Sequence, residues 1–177
     1  MDAGERGYTL IELMFALAIL AGLLAWSVPT FGDLRRNAAR TTAVNEFVQA
    51  VYFARSEAIK RNGVVSLCPS RDAQSCDAAG APWHAGWIVF INHDRDNPAV
   101  RDGSEPLLRT HAAWTTGRIV ANRTTLSFRP YGQSGVTATV VFCDDRGARD
   151  ARAVIISQTG RPRVTGRDAS GGALSCA

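Results

Sequence analysis

The feature that most constrains this chain is an apolar run from Tyr8 to Val28, in which Glu12 is the only charged residue. As a helix, a run of this length spans about 30 Å, the thickness of the hydrocarbon core of a bilayer. A carboxylate inside such a segment is costly, so Glu12 is a candidate functional residue from its position alone. The run follows a short polar leader that ends at Gly7. The sequence therefore predicts an N-terminal membrane helix with one functional carboxylate near its start.

The leader does not fit an ordinary secretory signal, which has a basic first region and a small-residue cleavage site after the apolar stretch. Here Asp2 and Glu5 oppose Arg6, and no A-x-A site precedes a mature domain. The leader, the glycine and the apolar run instead resemble the class III signal of type IV prepilins and pseudopilins.

That resemblance implies a processing and assembly route. A membrane-bound prepilin peptidase would cut between Gly7 and Tyr8, and Tyr8 would then be N-methylated. Most members of the family have Phe at this first mature position, so Tyr8 is a departure. Glu12 matches the glutamate that pairs with the free N-terminus of a neighbouring subunit. The implied partners are the peptidase, the bacterial inner membrane before assembly, and other pilins contacted through the N-terminal helix.

Beyond the apolar run, helical spacing continues to about Asn62, where Asn62-Gly63 is a typical helix stop. Pro29 and Gly32 predict a kink or a local loss of helix. After them the pattern becomes amphipathic. The predicted segments are the leader at 1–7, the transmembrane half of the helix at 8–28, its amphipathic half at 29–62, and a β-rich head at 63–177.

The head contains eight short strand-like segments rich in Val, Ile, Thr and Phe, separated by Gly, Asn, Asp and Pro. A long helix followed by such strands predicts an α+β fold, in which the helix packs on antiparallel β-sheets. The predicted strands are Val64–Cys68, Gly86–Ile91, Pro106–His111, Arg118–Ala121, Thr124–Arg129, Ala138–Cys143, Ala151–Ser157 and Arg161–Thr165.

Three sequence pieces of the head are similar to the FimT/GspH group of minor pilins and pseudopilins. They are Leu67-Cys68-Pro69-Ser70, the run from Trp83 to Phe90, and the turn Phe128-Arg129-Pro130-x-Gly132. Together with the N-terminal signal, this resemblance covers most of the chain. It implies a pilin fold and a structural rather than an enzymatic role.

All four cysteines lie after the apolar run, at Cys68, Cys76, Cys143 and Cys176. An even number in an exported domain favours disulfides, and four cysteines allow three connectivities. We favour Cys68–Cys76, a short local loop, and Cys143–Cys176, which would join the C-terminus to the sheet. A zinc site is disfavoured because the chain has no C-x-x-C pair and its histidines are not clustered with the cysteines.

The C-terminal region contains an arginine-rich segment with no acidic residue before Asp168. In extended geometry Arg161 and Arg163 point to the same side of the chain, and Arg167 follows. Gly160, Arg161 and Arg163 resemble the G-R-x-R motif of FimT-type minor pilins, which bind DNA during natural transformation. The alternative is a solvated, inert hairpin turn. Arg146, Arg149 and Arg152 are secondary candidates. They alternate with Asp144, Asp145 and Asp150, whose negative charges dilute the positive field of the arginines.

Other chemistry is weakly indicated. The chain has no nucleophile elbow, zinc-protease or P-loop motif, so we expect neither an enzyme nor a cofactor. The polar stretch Asn92–Asn97 lacks the glycine and the final glutamate of a calcium-binding EF-hand loop, so we expect its side chains to bond its own backbone and no metal to bind. Trp83 and Trp87 are expected in the core.

The sequence thus predicts a minor pilin of a type IV pilus, located in the inner membrane and then at the cell surface. Its C-terminal arginines would bind extracellular double-stranded DNA without sequence preference. Two alternatives share the same anchor: a minor pseudopilin of a type II secretion system, and a pilus-priming minor pilin that binds no DNA.

Overall fold

A computed structural model of the chain describes residues 7–77, 80–135 and 137–177, apart from the side chains of residues 26–30. One long helix, α1, spans Leu10–Arg61 and precedes all of the strands. The strands are β1 Val64–Pro69, β2 Trp87–Asn92, β3 Leu107–His111, β4 Arg118–Ala121, β5 Leu126–Phe128, β6 Ala138–Cys143, β7 Arg152–Ile156 and β8 Pro162–Thr165. A 3₁₀ turn at Trp83–Ala85 precedes β2.

The strands form two antiparallel four-stranded sheets. The first has the order β3-β2-β1-β5 and the second the order β4-β6-β7-β8. Each of the eight predicted strands is present, with its ends shifted by no more than two residues, because alternating β-branched residues and turn signals mark strands well. The predicted α+β fold, in which a helix packs on antiparallel β-sheets, is confirmed.

The chain divides into two compact units, Met1–Ala38 and Ala39–Ala177. The larger unit contains the second part of α1 as well as all eight strands. The core-forming face of α1 starts at Ala43. Helical conformation continues through Pro29 and Gly32, so the predicted local loss of helix is not observed.

The predicted transmembrane half, residues 8–28, lies in the smaller unit. Searching the described part of the chain finds no helix with the length and hydropathy of a membrane span. The predicted leader, apart from Gly7, lies outside the described residues.

The core of the larger unit forms where one stripe of α1 meets both sheets. Phe47 is fully buried, and its ring makes edge contacts with Trp83, Trp87 and Phe142 at centroid distances of 5.5, 5.4 and 5.7 Å. Trp87 comes from the first sheet and Phe142 from the second. Both predicted tryptophans are thus core residues.

The outer face of each sheet has a small apolar cluster of its own, and each cluster includes a disulfide. Cys68–Cys76 joins the first sheet to the loop that follows β1, and Cys143–Cys176 joins the second sheet to the C-terminus. This is the pairing that the sequence favoured. Leu174 is thereby held against Ile155 on the outer face of the second sheet.

A buried ion pair ties α1 to the end of β6. Nη1 of Arg40 lies 3.1 Å from Oδ2 of Asp144, and the two side chains are 6% and 3% exposed. Arg146 adds a second bond to the same oxygen at 2.6 Å. The hydrogen bond from Arg146 is the main cause that lowers the pKa of Asp144 below its ordinary value of 3.8. Removing the carboxylate would take away a buried ion-pair partner of the Arg40 guanidinium.

We expect Asp144→Ala to lower the free energy of unfolding by about 3–5 kcal/mol, because it breaks a buried pair from one side. Denaturant titration of the purified protein measures this loss. Because the native pKa of Asp144 is lowered, its contribution is present above its ordinary value and is lost as the pH falls through the native value. The variant should therefore lose less stability than the wild type on acidification.

Arg146→Ala is the matched control, since it leaves the Arg40–Asp144 pair intact. Its loss should be clearly smaller. Equal losses in the two variants would contradict the assignment of Arg40 as the essential partner.

Candidate functional site

The predicted arginine segment forms the turn and second strand of a β-hairpin made by β7 and β8. The amide of Ser157 donates to the carbonyl of Arg161 at 3.2 Å, and the amide of Gly160 donates to the carbonyl of Ser157 at 2.8 Å. Gly160 has a φ of +72°, the left-handed conformation that a three-residue hairpin loop needs at this position. The loop fixes where Arg161 leaves the turn.

Gly160 is also required for close packing. A Cβ atom added at this residue would overlap the carbonyl oxygen of Gly132. That same carbonyl accepts a hydrogen bond of 2.9 Å from Nε of Arg55 on α1. Ser134 completes the attachment, with its amide donating to the carbonyl of Gln158 and its hydroxyl to that of Ser157. The hairpin turn therefore rests on the 129–135 loop, which rests on the helix.

Arg161 and Arg163 lie on one side of this hairpin. Arg163 is paired with Ile155, whose side chain belongs to the outer apolar cluster of the second sheet. Because side chains alternate along a strand, Arg161 faces the same way, with a Cα spacing of about 6.6 Å from Arg163. Both residues are exposed. No described residue makes a hydrogen bond or an ion pair with either guanidinium group.

β8 is the outermost strand of its sheet. In the second sheet β8 pairs with β7 alone; Arg163 lies in this edge strand, and Arg161 directly precedes it. Arg167 follows the strand and is exposed, with Nη1 donating to the carbonyl of Gly171 at 3.0 Å. The structure thus brings Gly160, Arg161 and Arg163 into one unit and places Arg167 after the end of the strand.

The secondary candidates do not join this unit. Arg146 is held by Asp144 through bonds of 2.6 and 3.2 Å. Arg152 is paired with the core residue Phe142, so it lies on the opposite face of the sheet from Arg163. Arg149 is exposed in the loop before β7. Arg146 and Arg152 are therefore poor choices for the same ligand-binding surface.

The polar loop Asn92–Asn97 bonds largely with its own backbone. Asn92 is buried, its amide nitrogen donates to Asp96, and its amide oxygen accepts from the backbone of Arg95 at 2.6 Å. Asp96 also accepts from the amide of Val100. Within the described ranges, no group of three or more His, Cys, Asp or Glu side chains could hold a metal ion.

At the N-terminus of α1, the structure shows a feature that the sequence analysis missed. The carboxylate of Glu12 accepts hydrogen bonds from the amide and the hydroxyl of Thr9, at 2.9 and 3.0 Å. The amide of Glu12 donates back to the Thr9 hydroxyl at 3.4 Å. This is a capping box, and the T-x-x-E spacing was its signal in the sequence. Tyr8, just before it, is almost fully exposed.

Comparison with protein families gives two matches. The family described as "Type II transport protein GspH" matches residues 43–160. The "Prokaryotic N-terminal methylation motif" matches residues 2–26, which include Gly7, Tyr8 and Glu12. Arg161 and Arg163 lie just beyond the end of the first match.

Similar proteins are pilins. The pilin-like protein PilA1 of Thermus thermophilus is 31% identical over 170 residues, which is 90% of this chain and 98% of that protein. Two crystal structures of the type IV minor pilin FimU from Pseudomonas aeruginosa share the fold. One has a TM-score of 0.57 at 23% identity, covering 81% of this chain and 98% of that chain. The other has 0.56 at 22%, covering 77% and 99%.

We expect Gly160→Ala to cost more stability than Gly147→Ala, and denaturant titration measures both. Gly147 has a φ of +81° with open space around it, so its substitution meets only the left-handed backbone penalty of about 1–2 kcal/mol. At Gly160 the overlap with Gly132 adds about 1–3 kcal/mol. Equal costs would show that the contact between the two turns relaxes freely.

Proposed function

We propose that this chain, which belongs to the family described as Type II transport protein GspH and is a type IV minor pilin or pseudopilin, binds extracellular double-stranded DNA. The contacts would come from Arg161 and Arg163, with Arg167 beside them. The observation that carries the proposal is that two guanidinium groups share one face of an edge strand and have no partner among the described residues.

Arginine at these positions suits phosphate. A guanidinium group is planar and always charged, and it can donate two parallel hydrogen bonds to one phosphate. Arg163 lies in β8, and Arg161 directly precedes it at the end of the hairpin turn, so little backbone freedom is lost when they bind. Gly160 takes part indirectly, because its left-handed turn and its contact with Gly132 set the position of Arg161.

The geometry supports binding without base recognition. Base readout in the major groove needs a helix or a free two-stranded ribbon that enters the groove. This hairpin contains no helix, and it is not a free ribbon because β7 also pairs with β6. Two or three arginines neutralise few phosphates. Affinity should therefore be weak, with dissociation constants on the order of micromolar or above, and it should fall steeply with salt.

The proposed setting is natural transformation. Cleavage after Gly7 would create a mature chain that starts at Tyr8, and N-methylation would follow at Tyr8. The chain would be held in the inner membrane by its N-terminal helix and then be assembled with other pilins into a pilus at the cell surface. Its role would be structural and DNA-binding rather than enzymatic, with no cofactor.

A second candidate function is a minor pseudopilin of a type II secretion system, which the description of the matching family favours. A pilus-priming minor pilin without a DNA role is a third. These candidates share the N-terminal helix with the first, so only the DNA-binding hairpin separates them. Absence of DNA binding at low salt would favour the secretion role.

We expect the double variant Arg161→Ala/Arg163→Ala to bind duplex DNA more weakly whatever its sequence. Each lost phosphate contact should reduce the slope of log affinity against log salt by about one. The measurement is a gel-shift or anisotropy titration of the full chain in detergent over a salt series. Circular dichroism should be unchanged, because both side chains are exposed.

Arg118→Ala is the matched control. Arg118 is exposed on β4, the opposite edge strand of the same sheet, so its removal changes the net charge by one unit at a distant point, as much as Arg161→Ala or Arg163→Ala alone. It should leave both affinity and salt slope nearly unchanged. If each of the three single substitutions weakened binding alike, the effect would be one of total charge, and the localised site would be wrong.

Glu12 has two separable roles, helix capping and the proposed charge pairing in assembly. We expect Glu12→Gln to preserve the capping box, since Gln serves at this position, yet to abolish incorporation into filaments because it removes the charge. Thr9→Ala should have the converse effect, loosening the cap while keeping the carboxylate. Immunoblots of sheared pili and of membranes measure assembly and processing. Normal assembly of Glu12→Gln would refute the charge pairing.

A further inference from the structure

A cleft of about 710 Å³ lies beside the β7–β8 hairpin. Its floor is formed by Ser127 of β5, the edge strand of the first sheet, and by Thr125 just before that strand. One wall is the loop that contains Arg95 and Asp96, and the other is the 129–135 loop. The cleft is open to solvent, and its lining is mainly polar.

The cleft is lined by two cationic side chains, one on each wall. Arg95 and Arg129 are both exposed, and no hydrogen bond or ion pair connects either guanidinium group to a described residue. The nearest acid in the lining, Asp96, is already engaged by the amide of Asn92 and the backbone of Val100. Arg95 also borders a second cavity of about 330 Å³, together with Arg61 and His93, so this arginine lines both spaces.

An aromatic ring stands at the rim. Tyr131 is 86% exposed, although aromatic side chains are usually buried for most of their area. It follows Pro130 in the tight turn that the amide of Gly132 closes onto the carbonyl of Arg129, at 2.8 Å. The ring is therefore presented on a fixed backbone next to an unpartnered arginine, an arrangement that suits a flat base with a phosphate beside it.

The wall that contains Tyr131 is the same loop on which the β7–β8 hairpin rests. Ser134 bonds to the carbonyls of Ser157 and Gln158, and Gly132 contacts Gly160. The cleft and the Arg161–Arg163 edge are therefore neighbours separated by one loop. A strand of nucleic acid that binds the hairpin has a second basic surface within reach.

We propose that this cleft binds single-stranded DNA, with a base stacked on Tyr131 and backbone phosphates on Arg129 and Arg95. The proposal rests on the proposed DNA-binding function and adds to it a preference for a free strand or an unpaired end. An extended peptide could instead add to the open edge of β5 through main-chain hydrogen bonds. The two unpartnered cations and the exposed ring favour nucleic acid, because an added strand would need neither.

The test compares two labelled probes on the full chain in detergent, a single-stranded oligothymidine of about 12 nucleotides and a blunt duplex of equal length. Anisotropy titrations are run with wild type, Tyr131→Leu, Tyr131→Phe and Arg161→Ala/Arg163→Ala. We expect Tyr131→Leu to weaken single-strand binding at least about fivefold, the lower end of one stacked base. Duplex binding should change less than twofold, and Tyr131→Phe, which keeps the ring, should bind both probes normally.

Arg129→Ala tests the phosphate contact, and it should reduce the single-strand salt slope by about 0.7. Arg118→Ala again serves as the control for net charge, and Tyr52→Leu, at a half-exposed tyrosine of α1, as the control for loss of a ring. All of these side chains are exposed, so the variants should stay folded, which circular dichroism verifies.

The outcomes separate the two proposals. Unchanged single-strand binding in Tyr131→Leu, or equal weakening for both probes, overturns the cleft proposal, while the hairpin site still stands if the double arginine variant loses duplex binding. Loss of single-strand binding in Tyr131→Leu with no effect of the arginine variant supports the cleft and overturns the hairpin site. No binding of either probe by wild type overturns both.

Discussion

One stripe of α1 supports the rest of the larger unit. Two four-stranded sheets meet on the face of the helix that contains Phe47, Val51 and Ala54, and each sheet needs that face to bury its own apolar side. The small alanines along the stripe allow the backbones to approach, while the Phe47 ring fills the space between a tryptophan of one sheet and a phenylalanine of the other. Neither sheet has a comparable core of its own, because the outer clusters contain only a few residues.

This packing determines which positions are left for exposed arginine side chains. Because the inner faces of both sheets are buried, the arginines of the two proposed sites lie at strand edges and in the loops at the strand ends. Arg161 and Arg163 lie at the outermost strand of one sheet, and Arg129 follows the outermost strand of the other. The helix reaches the first of these positions through Arg55, whose bond to Gly132 supports the turn beneath Gly160. The basic surface is thus an outcome of the packing, although its residues are far apart in sequence.

Much of the fold could be predicted from the sequence, because local signals determine it. Strand periodicity and turn residues located all eight strands, and helical spacing located the end of α1 within one residue. The site was only partly predictable. The G-R-x-R segment was visible as a motif, but its support by Gly132 and Arg55 depends on contacts 28 and 105 residues away along the chain. Asp144 seemed to dilute the field of nearby arginines, whereas it is the buried partner of Arg40, 104 residues earlier. No local pattern reports such a pairing.

The disulfide between Cys143 and Cys176 has a mechanical consequence. The two cysteines are 33 residues apart in sequence, and the covalent loop that they close contains both β7 and β8. A pulling force applied at Arg161 or Arg163 therefore reaches β6 through the backbone on one side and through the sulfur bridge on the other. Even if β8 detached from its neighbour, the chain could extend only by the length stored inside that loop. The tail beyond the strand would stay attached to the sheet, so a ligand under tension would remain tethered while the hairpin re-forms.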